Sequence, residues 1–192
     1  MINIFRQYKG LFSFLLRKIG WWLPDYIYLW LMYYIQMQKP LHLKNPLSFS
    51  EKLQWLKLYA RNSLYTTMVD KYEVKEYVSN IIGENYLIPT IAVYDSFDEI
   101  DFDKLPNQFV IKCTHDSGGI VICKDKNTFD ITNAKKKISK YLKRKYYYIH
   151  REWPYKNVAP RIIIERYMKD AACEELIDYK VDRKSTRLNS SH

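Results

Sequence analysis

Apolar residues recur at helical spacing through the first part of the chain and condense into short β-branched runs in the second. The strongest apolar stretch is Tyr26–Met37 (YIYLWLMYYIQM), twelve residues behind Pro24 and Asp25. Ser48 or Ser50 can cap a helix carrying Leu53, Leu56 and Tyr59 on one face, because an N-cap hydroxyl satisfies a backbone N–H with no partner inside the helix. A second helix is predicted from Tyr65 to Ile82, closed by Gly83. Asn85–Tyr94 reads as a strand interrupted by Pro89, and Phe97–Leu105 as an acidic loop or short helix. Phe109–His115 and Ile120–Lys124 are strands joined by Asp-Ser-Gly-Gly, the clearest hairpin signal in the chain. Ile131–Tyr146 sets Ile131, Ala134, Ile138 and Tyr141/Leu142 on one face with lysines opposite. Arg161–Tyr167 is a β-branched strand, and Glu174–Val181 begins another. The elements predict an α+β fold: a helical N-terminal region, then a mixed sheet with a crossing helix.

The N-terminus does not read as a secretory signal, since the apolar run LFSFLL covers six residues among Arg6, Lys9, Arg17 and Lys18. Tyr26–Met37 is also shorter than the roughly 20 residues of a spanning helix. Trp21, Trp22, Trp30 and the tyrosines suit an interfacial helix with peripheral membrane contact, or a helical hairpin packed on the rest of the protein. The expected location is cytoplasmic, with any membrane contact at the inner face.

Composition narrows the class. A 192-residue chain with 47% hydrophobic and 16% aromatic residues can build a sizeable core and is no disordered tail. Three Cys without a CxxC pair or a Cys/His cluster argue against a disulfide framework and a structural zinc site, and so for a reducing compartment. The net charge of +10 is uneven: Ile131–Arg151 holds eight basic residues and no acid, and Asp182–His192 contributes the rest. A solvated face is the commonest use of such a helix, followed by a polyanionic substrate or a membrane. Nucleic acid is not favoured, although Tyr146, Tyr147 and Tyr148 have faces on which bases stack.

Asp182–His192 (DRKSTRLNSSH) has no apolar periodicity and reads as the translation of a sequencing-library adapter. The expectation is therefore a gene cut near Val181, inside a strand-like run. The expected organisation is an aromatic-rich helical region (1–47), helices and a strand (48–105), a partial nucleotide-binding region (106–181) and the adapter-like tail (182–192).

The hairpin carries the candidate chemistry. Period-two alternation puts Val110, Lys112 and Thr114 on one face and Phe109, Ile111 and Cys113 on the other. A lysine within an apolar strand calls for an anionic partner. The Ser117-Gly118-Gly119 loop, free of bulky Cβ atoms, can offer backbone N–H groups to a phosphate chain. A plain turn with a solvent-facing lysine is the alternative. Lys71 alone reads as a surface lysine, Glu165 as a strand-terminating charge, and His115 as a structural hydrogen-bonding residue beside the loop. Cys113 and Cys123, equally spaced about Gly118, are expected to be cross-strand packing neighbours.

Several long motifs, SFSEKLQWLKLY, YTTMVDKY, GENYLIPTIAVYDSFDEIDFDKLPNQFVIKCTHDSGG, REWPYKNVAPRIIIERYM and ELIDYK, resemble the TupA-like branch of the ATP-grasp superfamily over about Pro46 to Lys180. That branch is associated with bacterial teichuronopeptide and surface-polysaccharide biosynthesis. The resemblance implies an ATP-grasp-like α+β fold with a hairpin lid and an incomplete C-terminal subdomain. It implies that Lys71 and Lys112 contact phosphates, that Asp116, Ser117, Gly118 and Gly119 form the lid, and that Ile164–Met168 is the hinge. Within the hinge, the backbone of Arg166, Tyr167 and Met168 would read the adenine edge beside Glu165. Glu175 would accept the ribose hydroxyls, and Lys180 would face the transferred phosphate.

The implied activity is that of an ATP- and Mg2+-dependent carboxylate–amine ligase working through an acyl-phosphate. Its acceptor would be a uronic-acid or amino-acid group of a cell-envelope polymer. Magnesium ligands are expected in the missing C-terminal part, so none is named and the chain by itself is expected to lack turnover. Two other readings stand beside this one: a glycosyltransferase-like enzyme of the same pathway, and a non-catalytic basic module that binds polyanions. Asp101-Phe102-Asp103 has the DxD spacing of the former but lies in an acidic loop before the strand.

Overall fold

The computed structural model describes residues 2–169. Two helices, α1 (Ile2–Ile19) and α2 (Asp25–Met37), open the chain, joined by a 3-10 turn at Gly20–Trp22. Gly20 permits their close approach: a Cβ there would lie 3.0 Å from the Tyr28 ring. The two helices form a hairpin packed on the rest of the protein. α2 buries Tyr28, Leu29, Met32 and Tyr33, with Leu16, Leu23 and Leu58 packed against them.

Helix α3 (Phe49–Tyr59) begins with a capping box, in which Ser48 Oγ accepts the Glu51 N–H and the Glu51 carboxylate accepts the Ser48 N–H. The Ser48 N–H and hydroxyl, both donating to the carboxylate, with His42 beside it, hold the Glu51 carboxyl at about 2, well below its usual range. The expected apolar face of this helix is not buried, for Leu53, Leu56 and Tyr59 are all exposed.

The single helix expected over Tyr65–Ile82 is two, α4 (Leu64–Val69) and α5 (Glu73–Ile82). Asp70 divides them. Its Oδ1 accepts the Tyr72 N–H at 2.8 Å and the Glu73 N–H at 3.4 Å, offering the backbone an alternative to helical bonding. Its Oδ2 meets Arg161 Nη2 at 3.1 Å. Gly83 ends α5 at φ +93°, a conformation that side chains with a Cβ resist.

Four strands follow: β1 (Thr90–Tyr94), β2 (Phe109–Cys113), β3 (Ile120–Cys123) and β4 (Ile162–Arg166), in the order β1-β4-β2-β3. β1 starts after Pro89, and the residues expected to precede it in the strand form a turn at Glu84–Tyr86. The acidic segment Phe97–Leu105 contains two 3-10 turns rather than one helix.

All observed pairings are antiparallel, where a mixed sheet was expected. The crossing helix α6 (Ile131–Leu142) does return the chain parallel to β3, but β4 inserts beside β2 instead, so no parallel strands are neighbours. The core lies on one face of the sheet. There Phe109, Ile111, Cys113, Ile162 and Ile164 pack against Ala134 and Ile138 of α6 and against Phe97, Ile100 and Leu105. Burial alternates along β2 as the sequence predicts, with Val110 and Lys112 on the opposite, outer face.

A short helix, α7 (Tyr147–His150), precedes Arg151, which does not belong to the exposed basic helix. Arg151 is 1% exposed and has φ +53°. Its guanidinium donates to the carbonyls of Gly20 (2.7 Å) and Leu23 (3.2 Å) and lies 3.6 Å from Asp25. Tyr28 Oη donates to the Ile149 carbonyl at 2.9 Å, and Tyr147 Oη donates to Asp25. These contacts fasten the N-terminal hairpin to the remainder of the chain.

Candidate functional site

The outer face of the sheet becomes polar where β2 and β4 lie side by side. Register pairs Val110 with Glu165 and Lys112 with Ile163, so Lys112 and Glu165 are diagonal neighbours on that face. Lys112 Nζ meets Glu165 Oε2 at 2.5 Å. Lys75, on the first turns of α5, reaches the other oxygen, Oε1. Burial alone would raise the Glu165 carboxyl, but the two ammonium groups outweigh it and hold the pKa below the ordinary value. The lysine that an apolar strand cannot carry unpaired thus has its anionic partner, and a second cation shares it.

Lys71 lies just before α5 and its ammonium donates to the Asp116 carbonyl and, at 3.4 Å, to the Thr114 carbonyl. Its N–H bonds the Thr114 carbonyl as well, at 3.3 Å. Burial lowers its pKa, opposed by the nearby Asp116 carboxylate and reinforced by the Lys112 charge. The helix break at Asp70 and the residues just after β2 are therefore joined through one lysine.

The loop between β2 and β3 folds against the C-terminal end of α6. The Asp116 side chain points inward and is fully buried; its Oδ1 accepts the Gly118 N–H at 2.6 Å and its Oδ2 lies 3.5 Å from Arg144 Nε. Asp116 itself thus occupies one of the backbone donors expected for a phosphate. Ser117 is exposed and donates to Tyr146 Oη at 3.1 Å. A Cβ on Gly118 would fall 2.6 Å from Tyr141 Cε1, and one on Gly119 would fall 2.6 Å from Cys113 Sγ. Glycine is needed here for room, not for backbone angle.

His115 Nε2 bonds the Arg144 carbonyl at 3.1 Å, the structural hydrogen bond expected of it, and burial lowers its pKa. Its Nδ1 is buried without a partner among the described residues. Cys113 and Cys123 are not neighbours. Phe109 pairs with Cys123, and Cys113 bonds Gly119, so the hairpin is symmetric about Asp116 and not Gly118. Burial pushes the Cys113 thiol up to about 12, with the Asp116 charge adding to it.

At the end of β4, Arg166 N–H bonds the Pro89 carbonyl at 3.0 Å. Arg166, Tyr167 and Met168 border a shallow recess with Ile91, Pro106 and Gln108. Glu175, Lys180, the strand expected from Glu174 and the segment 182–192 lie outside the described residues. Among the described residues no three His, Cys, Asp or Glu side chains form a group able to hold a metal ion. The DxD candidate is engaged locally: Asp101 Oδ1 accepts the Asp103 N–H at 3.2 Å, and Oδ2 meets Lys104 at 2.9 Å.

The family resemblance grouped Lys71, Lys112, the glycine loop and Glu165, where the residues by themselves suggested only Lys112 and the loop, and three residues were missed. Lys75 was findable, being four residues beyond Lys71 and hence on the same side of a helix. Arg161 was legible only as a strand-opening charge; in three dimensions it joins Asp70 and, at 2.6 Å, Glu73. Arg151 was concealed in a run of basic residues.

No curated protein and no solved structure matches the chain. The family model described as TupA-like ATPgrasp matches residues 51–182, a span that contains Lys71, Lys75, Lys112, the loop and Glu165 but excludes α1 and α2. The chain belongs to the TupA-like ATP-grasp family.

Proposed function

We propose that the face carrying Lys71, Lys75, Lys112 and Glu165 binds the triphosphate of ATP, as part of an enzyme that joins a carboxylate to an amine. The observation supporting this reading is a surplus of cation. Lys75 and Lys112 share one carboxylate, and Lys71 bonds only carbonyl oxygens among the described residues. A polyphosphate supplies the missing negative charge through charge-assisted hydrogen bonds. When it arrives, Lys112 can turn from Glu165 to a phosphate oxygen while Lys75 keeps the carboxylate paired. The Gly118 N–H becomes a phosphate donor once Asp116 releases it. The Arg166–Met168 backbone borders the recess this reading assigns to adenine; Glu175 is proposed for the ribose hydroxyls and Lys180 for the transferred phosphate.

The reaction proposed is the acyl-phosphate route that the resemblance implies. An acceptor carboxylate oxygen attacks the γ-phosphorus, the bond to the β,γ-bridging oxygen breaks, and ADP leaves. An amine nitrogen then attacks the acyl carbon, the carbon–oxygen bond to phosphate breaks, and the amine loses a proton as phosphate departs. The lysines contribute by holding charge that builds on the phosphoryl oxygens. Mg2+ belongs to this reading as the usual companion of ATP, but no described residue is assigned to it and no step is routed through it. The proposed acceptor is an acidic or amino-acid-bearing group of a cell-surface polysaccharide. The basic side of α6 supports that choice, because Lys136, Lys137 and Lys140 are suited to a polyanion.

The test is to titrate labelled ATP and labelled UDP-sugar separately into the intact chain, a binding measurement because turnover is not expected of the chain by itself. ATP binding that is lost with Lys112 supports the ATP-dependent reading. Binding of a labelled UDP-sugar with no ATP binding would replace it with the glycosyltransferase reading. Salt-sensitive polyanion binding that survives loss of Lys112, with no nucleotide binding, would replace it with the non-catalytic one.

A further inference from the structure

The N-terminal hairpin is amphipathic the wrong way round. From Tyr8 to the turn the covered residues are Lys9, Ser13, Leu16 and Gly20, spaced four, three and four apart and turned toward the protein. The sides facing away carry Leu11, Phe12, Phe14, Leu15 and Ile19, each at least two-fifths exposed. Trp21 and Trp22, at the turn, are 64% and 67% exposed. α2 is apolar on both sides: Tyr28, Leu29, Met32 and Tyr33 are buried, while Ile27, Trp30, Tyr34 and Met37 form an outer stripe. Trp30 and Tyr34 stack on that stripe with ring centroids 5.7 Å apart. Phe12 of α1 and Tyr34 of α2 line one small recess, which joins the two stripes into a single surface. A soluble helix normally turns its apolar side inward, and a contiguous exposed patch of this kind marks something that covers it.

Charge selects the cover. From Met1 to Ser50 there are six basic residues and one acid. That acid, Asp25, is turned inward onto Tyr147 and Arg151. Arg17 and Lys18 are exposed beside the apolar residues, and Lys18 Nζ lies 4.8 Å over the Phe14 ring, its stem covering apolar surface while its charge stays in water. Apolar side chains, two tryptophans at one end and cations with no exposed acid together match a bilayer interface bearing negative headgroups. A second copy of this surface would set cation against cation. No described helix is long and apolar enough to cross a membrane, so the contact is one of lying on the surface.

We infer that α1, the Trp21–Trp22 turn and the outer stripe of α2 form a docking surface for an anionic lipid bilayer. The matched family span begins at Glu51, so this surface is an addition to the nucleotide-binding region and stands whether or not ATP is the ligand there.

The experiment is co-sedimentation of the intact chain with vesicles of mixed phosphatidylcholine and phosphatidylglycerol, and with vesicles of phosphatidylcholine alone. It is paired with sedimentation equilibrium in the absence of lipid. The unaltered chain should pellet with the anionic vesicles, with a blue shift in tryptophan emission. Replacing Trp21, Trp22 and Phe14 together by Ser should weaken partitioning about tenfold or more. Replacing Arg17 and Lys18 by Gln should weaken it several-fold, with loss of part of the salt dependence. All five positions are exposed, and unchanged circular dichroism verifies that the variants fold. Absence of pelleting, pelleting indifferent to both sets of substitutions, or a lipid-independent dimer abolished by the Trp and Phe changes would each overturn the inference, the last assigning the surface to a second copy.

Discussion

Lys112 on β2 and Glu165 on β4 meet diagonally across the outer face of the sheet, Nζ to Oε2, at 2.5 Å. Their side chains are 23% and 6% exposed, so the pair is largely removed from water. Removing one member of a buried pair costs more than the pair contributes, because the other charge is left desolvated. Glu165→Ala should therefore destabilise the protein by about 3 kcal/mol, since it strands Lys75 as well as Lys112. Urea denaturation at neutral pH measures this.

The same carboxylate sets an acid limit. Its pKa in the folded protein lies below its ordinary value of 4.5. The resulting stabilisation is complete above 4.5 and is lost as the pH falls through the folded value. Urea midpoints followed downward through this range should fall for the unaltered chain and flatten in Glu165→Gln. Parallel curves for the two would remove Glu165 from the acid response.

Gly119→Ala should be the more damaging of the two loop substitutions. The new Cβ would meet Cys113 Sγ at 2.6 Å and Tyr141 Cβ at 2.9 Å, both close to the backbone and slow to yield. A Cβ on Gly118 instead meets the edge of the Tyr141 ring, which can swing aside. Overpacking of this kind costs about 1–3 kcal/mol. Thermal unfolding should place Gly119→Ala at the upper end and Gly118→Ala at the lower.

Arg151→Lys should release the N-terminal hairpin. Arg151 bonds three carbonyls, of Gly20, Trp21 and Leu23, through one planar guanidinium, a geometry an ammonium does not reproduce. Limited proteolysis should cut the variant between α1 and α2 or just after α2 at least about tenfold faster than the unaltered chain, corresponding to about 1.4 kcal/mol of local opening. Equal cleavage rates would show that the hairpin is held by other contacts.

Much of this was legible beforehand. The β2–β3 hairpin, the strand at Ile162 and helix α6 each follow from a period the residues state openly, and so does the sidedness of Lys112. The helix expected over Tyr65–Ile82 is two because, although periodicity carries through Asp70, its carboxylate takes the Tyr72 and Glu73 N–H groups while Arg161, ninety-one positions away, holds its other oxygen. Cys113 and Cys123 were misplaced because symmetry in sequence about Gly118 is not symmetry in pairing. The pairing is centred two residues earlier, on Asp116. Arg151 was hidden for a related reason. A basic residue beside lysines looks solvated until the carbonyls of a distant turn claim it.

The cations on the outer face of the sheet are proposed to hold the phosphates of ATP. Calorimetric titration of ATP into the intact chain, the Lys112→Met variant and the Lys136→Met variant measures this. The unaltered chain and Lys136→Met should bind with equal affinity, and Lys112→Met should bind at least about tenfold more weakly, the loss of one charge-assisted hydrogen bond. Equal affinity in all three, or no binding by the unaltered chain, would contradict the account.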